Sequence, residues 1–143
     1  MEKNGHLVLE TVEGSGLRFR ATTDTRPQPF ILDSGDGAQG PSPVDVLLAA
    51  VGACAGMDVI SILRKKRQAV TGYTIDLHGT RRDDHPRSFT AIEVVHRVRG
   101  RGIDPAAVAD AVRLSEEKYC SVHATLAPGV LLTSRIEIAE EPR

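Results

Sequence analysis

The chain has 143 residues, 41% of them hydrophobic, and a formal net charge of −1 at pH 7. That is enough apolar material for a single domain over residues 1–143, and the near-neutral balance excludes a general electrostatic pull toward nucleic acid or an anionic membrane surface. With three Phe, two Tyr and no Trp, the core has to be built from Val, Ile, Leu and Ala.

The opening residues MEKNGHLVLE carry no apolar segment after their charges, so no secretory signal is read there and a cytoplasmic location is expected. Leu7 to Glu13 alternates as a strand, and Gly14-Ser15-Gly16 makes a turn. Leu17 to Ala21 then alternates strictly, with Arg18 and Arg20 on one face. Pro29 to Asp33 is a third short strand, followed by the glycine-bearing loop Ser34 to Pro41. Ser42, Pro43 and Asp45 form a helix start: an N-cap, a proline at the first helical position and an acid at the capping-box position. This helix should run to about Arg67. The dense cluster Arg64 to Arg67 reads as its solvated, dipole-favoured end and not as a nucleic-acid site.

Strands near Val70–Arg81 and Ser88–Arg99 follow, joined by a turn at Asp83-Asp84-His85-Pro86. Asp104-Pro105 begins a second helix reaching about Lys118, and Val130 to Ile138 forms the last strand. The order β-β-β-α-β-β-α-β specifies an α+β fold.

From Val46 to Met57 the long helix has no polar face, so it should be buried on nearly every side. That run falls short of the roughly 20 apolar residues a membrane span needs. One sheet and one further helix can hardly enclose it, and a homodimer that completes the core is expected. Gly52 and Gly56 each cost a helix roughly 1 kcal/mol relative to Ala, which suits a close neighbour beside Cys54.

The two cysteines, Cys54 and Cys120, admit three readings: buried filler, metal ligands or a redox pair. Asp58, one turn beyond Cys54, disfavours a thiolate there. Activation would have to come from a cation, for which Arg18 and Arg20 are the candidates. Lowering a thiol from about 8.5 to about 6.5 needs roughly 2.7 kcal/mol of thiolate stabilisation. Cys120 opens a short helical turn with His123 nearby. Cys120-x-x-His123 has metal-like spacing but lacks a matching second pair of ligands.

The segment "SPVDVLLAAVGACAGMDV", followed some sixty residues later by "LSEEKYCSVHATL", resembles the OsmC/Ohr superfamily of osmotically inducible and organic-hydroperoxide-resistance proteins. The resemblance covers nearly the whole chain and is closest to an OsmC-related branch with Ser-Pro at the helix start and Cys-x-x-x-Asp in mid-helix. It implies an intertwined homodimer with the long helices buried centrally and an active site at the subunit interface. It further implies that Cys54 attacks an organic hydroperoxide, that Cys120 resolves the sulfenic acid as a disulfide, and that a dithiol such as a lipoyl group resets the pair. No bound cofactor or metal is implied.

The family's peroxidases carry Pro-Glu at the helix start, and the glutamate orients an arginine against the thiolate. Here Val44 follows Pro43 and the acid is Asp45, displaced by about 100° around the helix. Asp45 is therefore either that orienting acid or simply the capping acid. Two other functions compete with a peroxidase: a non-catalytic dimer binding a small apolar ligand at the interface, and a thiol redox sensor.

Overall fold

The computed structural model describes residues 4–142, which divide within the long helix into two compact units, residues 4–47 and 48–142. The first unit holds a three-stranded antiparallel sheet of β1 (Leu7–Thr11), β2 (Phe19–Thr23) and β3 (Phe30–Leu32) in that spatial order. Its hairpin closes through the Val12 N–H bonded to Arg18 O, with Gly14 at φ 78°, a left-handed conformation that glycine adopts without strain.

Helix α1 (Pro43–Lys65) starts in the first unit and continues through the second. It stops two residues before Arg67 because Arg67 takes a left-handed φ of 55°. The Gln68 N–H then reaches Leu63 O and the Arg67 N–H reaches Arg64 O, both at 3.0 Å, the paired bonds of a Schellman cap.

The second sheet has the order β4 (Ala69–Arg81), β5 (Phe89–Arg101), β6 (Leu131–Glu140). The first pair is antiparallel and the second parallel. A parallel partner needs a crossover, here α2 (Pro105–Leu114), a π turn (Ser115–Tyr119) and α3 (Ser121–Leu126). Asp104 caps α2 by accepting from the Ala106 N–H at 3.0 Å. The expected single helix to Lys118 thus ends at Leu114, where the chain widens into the π turn.

The hydrophobic core of this unit joins Val59 and Leu63 of α1, Val98 of β5, and Ala107, Val108, Ala111 and Val112 of α2. On the opposite face of the sheet, Arg97 pairs with Asp76 and Glu137, and Arg135 with Glu137.

In the single chain α1 is buried on one side only, through Val51, Gly52, Gly56, Val59 and Leu63. Met57 is 70% exposed, and Ala49 and Ala53 on the same stripe are exposed as well. One copy thus leaves open the side of α1 that the sequence reading assigned to a partner subunit. The helix's 23 residues include a window of mean hydropathy 2.2, so by length and composition it could cross a membrane, unlike the shorter run that its sequence first suggested. The neighbours of Gly52 and Gly56 are side chains of β4: an added Cβ would come within 2.5 Å of Leu77 Cδ1 or Ile75 Cδ1. The two glycines let the helix lie close on the sheet.

Candidate active site

Cys54 lies in the middle of α1, and Cys120 stands at the junction of the π turn and α3. Both are free thiols; Cys54 is half-buried and Cys120 is 3% exposed. The fold brings them together, with the Cys54 thiol near enough to Cys120 to act on its proton. Cys120 is pushed up to about 11, first by burial and then by the neighbouring Cys54 thiol. The negative charges of Cys54 and Asp58 add to the rise, and the His123 N–H opposes it. Burial thus favours the neutral thiol form of Cys120.

Backbone geometry holds Cys120 in place. Its N–H bonds Ser115 O at 2.8 Å, closing the π turn, while its sulfur caps α3 by accepting the His123 N–H at 3.3 Å. The opposite end of the π turn is tied to the helix of Cys54, because buried Ser115 donates its hydroxyl to Asp58 at 2.8 Å. Sequence reasoning noticed Asp58 as an unfavourable charge and as the acid of the Cys-x-x-x-Asp pattern, and missed its partner Ser115. A serine five residues before a cysteine was the available signal, but its meaning depends on a π turn that periodicity does not reveal.

Beside this region is a pocket of about 370 Å³ lined by Asp58, Ser61, Ile62, Lys65, Leu114 and Tyr119. Among the described residues, no group of three or more His, Cys, Asp or Glu side chains is placed to hold a metal. His123 meets Cys120 through its backbone N–H.

The other three candidate residues belong to the first unit. Arg18 donates through Nε to Asp33 at 2.9 Å. Arg20 is exposed on β2 and has no side-chain partner among the described residues. Asp45 forms a reciprocal capping box with Ser42: each side chain accepts the other residue's backbone N–H at 3.2 Å. Arg18 is thus engaged by Asp33, just after β3, while the partner of Asp45 among the described residues is Ser42.

Residues 35–135 match the family model for OsmC-like protein. The chain belongs to the OsmC-like family. Protein YhfA of Escherichia coli strain K12 is 42% identical over 123 residues, covering 86% of this chain and 91% of YhfA. A hypothetical protein from Aquifex aeolicus VF5, known from its crystal structure, aligns with a TM-score of 0.87 and 33% identity, over 99% of this chain and 100% of that one. The organic hydroperoxide resistance protein OhrB of Bacillus subtilis aligns with a TM-score of 0.59 and 16% identity, over 94% of this chain and 97% of OhrB; at that identity the likeness concerns the fold. The α+β architecture of this chain is shared with that organic hydroperoxide resistance protein.

Proposed function

We propose that this OsmC-like protein is a thiol peroxidase for organic hydroperoxides, acting in oxidative-stress defence in the cytoplasm. The observation that carries the reading is the meeting of two free thiols, Cys54 and Cys120, from distant parts of the chain. The Cys54 thiolate attacks the distal oxygen of the hydroperoxide. The O–O bond breaks, the released alkoxide takes a proton and leaves as the alcohol, and Cys54 becomes a sulfenic acid. The Cys120 thiol then forms the S–S bond as the sulfenic oxygen departs as water. An external dithiol, such as a lipoyl group, reduces the disulfide and is itself oxidised, so no bound cofactor takes part.

The burial of Cys120 supports this order. Cys120 holds its proton firmly and is 3% exposed, so the more exposed Cys54 is the first nucleophile and Cys120 the second. Arg18 and Arg20 are the cations this reading offers for the thiolate, with Asp33 fixing Arg18. Asp45 serves the helix start.

The working form is a homodimer. Its support is the exposed stripe of Ala49, Ala53 and Met57 along an otherwise apolar helix, which a second copy would cover. Mass spectrometry after stoichiometric hydroperoxide treatment, without reductant, tests the chemistry. A loss of two hydrogens localised to Cys54 and Cys120 is expected, and a Cys54→Ser variant should consume no hydroperoxide. Wild-type consumption by that variant would rule the reading out.

A further inference from the structure

Asp58 and Cys54 lie one turn apart on α1, separated along the axis by about 6 Å. Ser115 and Cys120 lie at the two ends of the π turn and are joined by a backbone bond of 2.8 Å. The two pairs join the same two elements: Asp58 of α1 accepts from Ser115 at 2.8 Å, and Cys54 of α1 neighbours Cys120. Ser115 is 1% exposed, so its hydroxyl has no bulk water to turn to and Asp58 is its partner. A π turn also replaces the ordinary i→i−4 ladder with a wider loop and is found where function requires it more often than elsewhere.

We infer that Asp58 and Ser115 are positioning residues, a clamp between α1 and the π turn that holds Cys120 in register with Cys54 for disulfide closure. The clamp deepens the peroxidase reading by assigning the resolving step its own scaffold, and it rests on that reading for its biological purpose. The groups acting on Cys120 are the Cys54 thiol and the Asp58 carboxylate, both on α1, and the His123 N–H of α3. Lys65 lines the same pocket as Asp58. The Asp58 charge has a second effect, helping to keep Cys120 a thiol until Cys54 is oxidised.

The test uses the full-length protein in a dithiothreitol redox buffer, where closure of the Cys54–Cys120 bond is read at equilibrium by alkylation and mass spectrometry. In that exchange the cyclic disulfide of oxidised dithiothreitol is reduced to the dithiol as the two protein thiols lose two hydrogens to form the bond. Ser115→Ala and Asp58→Ala should each lower the closure equilibrium constant roughly fivefold. The double variant should be no worse than either single one, since both remove the same contact.

Asp58→Asn keeps an acceptor for Ser115, so its closure constant should stay within about twofold of wild type. With the negative charge gone, the pH midpoint of its closure rate should move downward. Wild-type equilibria in both alanine variants, or effects that multiply in the double variant, would overturn the clamp. Should the alanine variants not fold, a loss of fivefold or more in Asp58→Asn, or an unshifted midpoint, overturns it alone. The two proposals fail separately. Thiols that close in this buffer but ignore hydroperoxide sink the peroxidase reading only, whereas wild-type clamp variants in an active peroxidase sink the clamp only.

Discussion

Arg18 Nε donates to Asp33 Oδ2 at 2.9 Å, and the carboxylate it meets is 6% exposed. Asp33 also accepts the N–H of Ser34 at 2.8 Å and of Gln39 at 2.9 Å, so one carboxylate fastens both an arginine and the loop after β3. The Gln39 N–H, the Arg18 guanidinium and the Ser34 N–H hold it below the usual carboxylate range, against the opposing effect of burial. A carboxylate depressed on folding contributes stability above its unfolded value of about 3.9 and loses it as pH falls through the folded value. Asp33→Asn should therefore be less stable than wild type near pH 7, with the difference shrinking below pH about 4. Denaturant midpoints measured between pH 2 and 7 check this.

The capping box at the start of α1 gives a second expectation. Ser42 and Asp45 satisfy each other's backbone N–H at 3.2 Å, and Ser42→Ala removes one of these bonds. The cost should be about 0.5–2 kcal/mol, as for other N-cap serines. Urea unfolding should show a lower midpoint with an unchanged slope, because the surface exposed on unfolding stays the same.

Much of the architecture was legible because its signals are local. Ser42-Pro43 and Asp104-Pro105 mark helix starts through caps and a fixed φ, and the alternation in β4 and β5 marks strands. Both helices do begin at those prolines. The π turn was not legible, because Ser115–Tyr119 continues the helical pattern of α2 in sequence and is told apart by wider bonds such as that from Cys120 N–H to Ser115 O. Nor was the engagement of Arg18 by Asp33, since the register of a short hairpin decides which acid meets which base. Which side of α1 meets its own sheet was not legible either: uniform apolarity reports what a helix can bury in an assembly, and one copy buries a single stripe.

Tyr73 and His96 make a buried polar pair inside the second unit, with Tyr73 Oη 2.6 Å from His96 Nδ1 and His96 only 1% exposed. Burial pulls His96 below its ordinary value, with Glu116 opposing, and burial pushes the Tyr73 hydroxyl up. A histidine kept neutral by folding contributes stability above its unfolded value of about 6.5 and loses it as pH falls through the lower folded value. Wild-type stability should accordingly decline on acidification from pH 6.5. Tyr73→Phe strands the His96 nitrogen and should cost about 1–3 kcal/mol at neutral pH. Thermal unfolding across pH 5–8 reads both effects, and a neutral Tyr73→Phe substitution would show the pair to be energetically idle.

Removing the second thiol separates the two chemical steps. In Cys120→Ser the hydroperoxide still meets Cys54, but no sulfur stands by to displace the sulfenic oxygen, so the sulfenic acid should persist and be captured by a cyclic dione. Turnover with a supplied dithiol should fall on the order of tenfold, since closure inside the protein is replaced by a bimolecular attack. The same variant has a signature in alkali. Cys120 is raised to about 11 on folding, so its contribution to stability is fully present below the free-thiol value of about 8.5 and is lost as pH rises through 11. Wild type should therefore lose stability between pH 9 and 11 more steeply than Cys120→Ser. Loss from the similarly raised Tyr73 continues in both proteins. Equal alkaline slopes would show that burial of Cys120 does not hold its proton, and rapid disappearance of the sulfenic acid in the variant would show that another group resolves it.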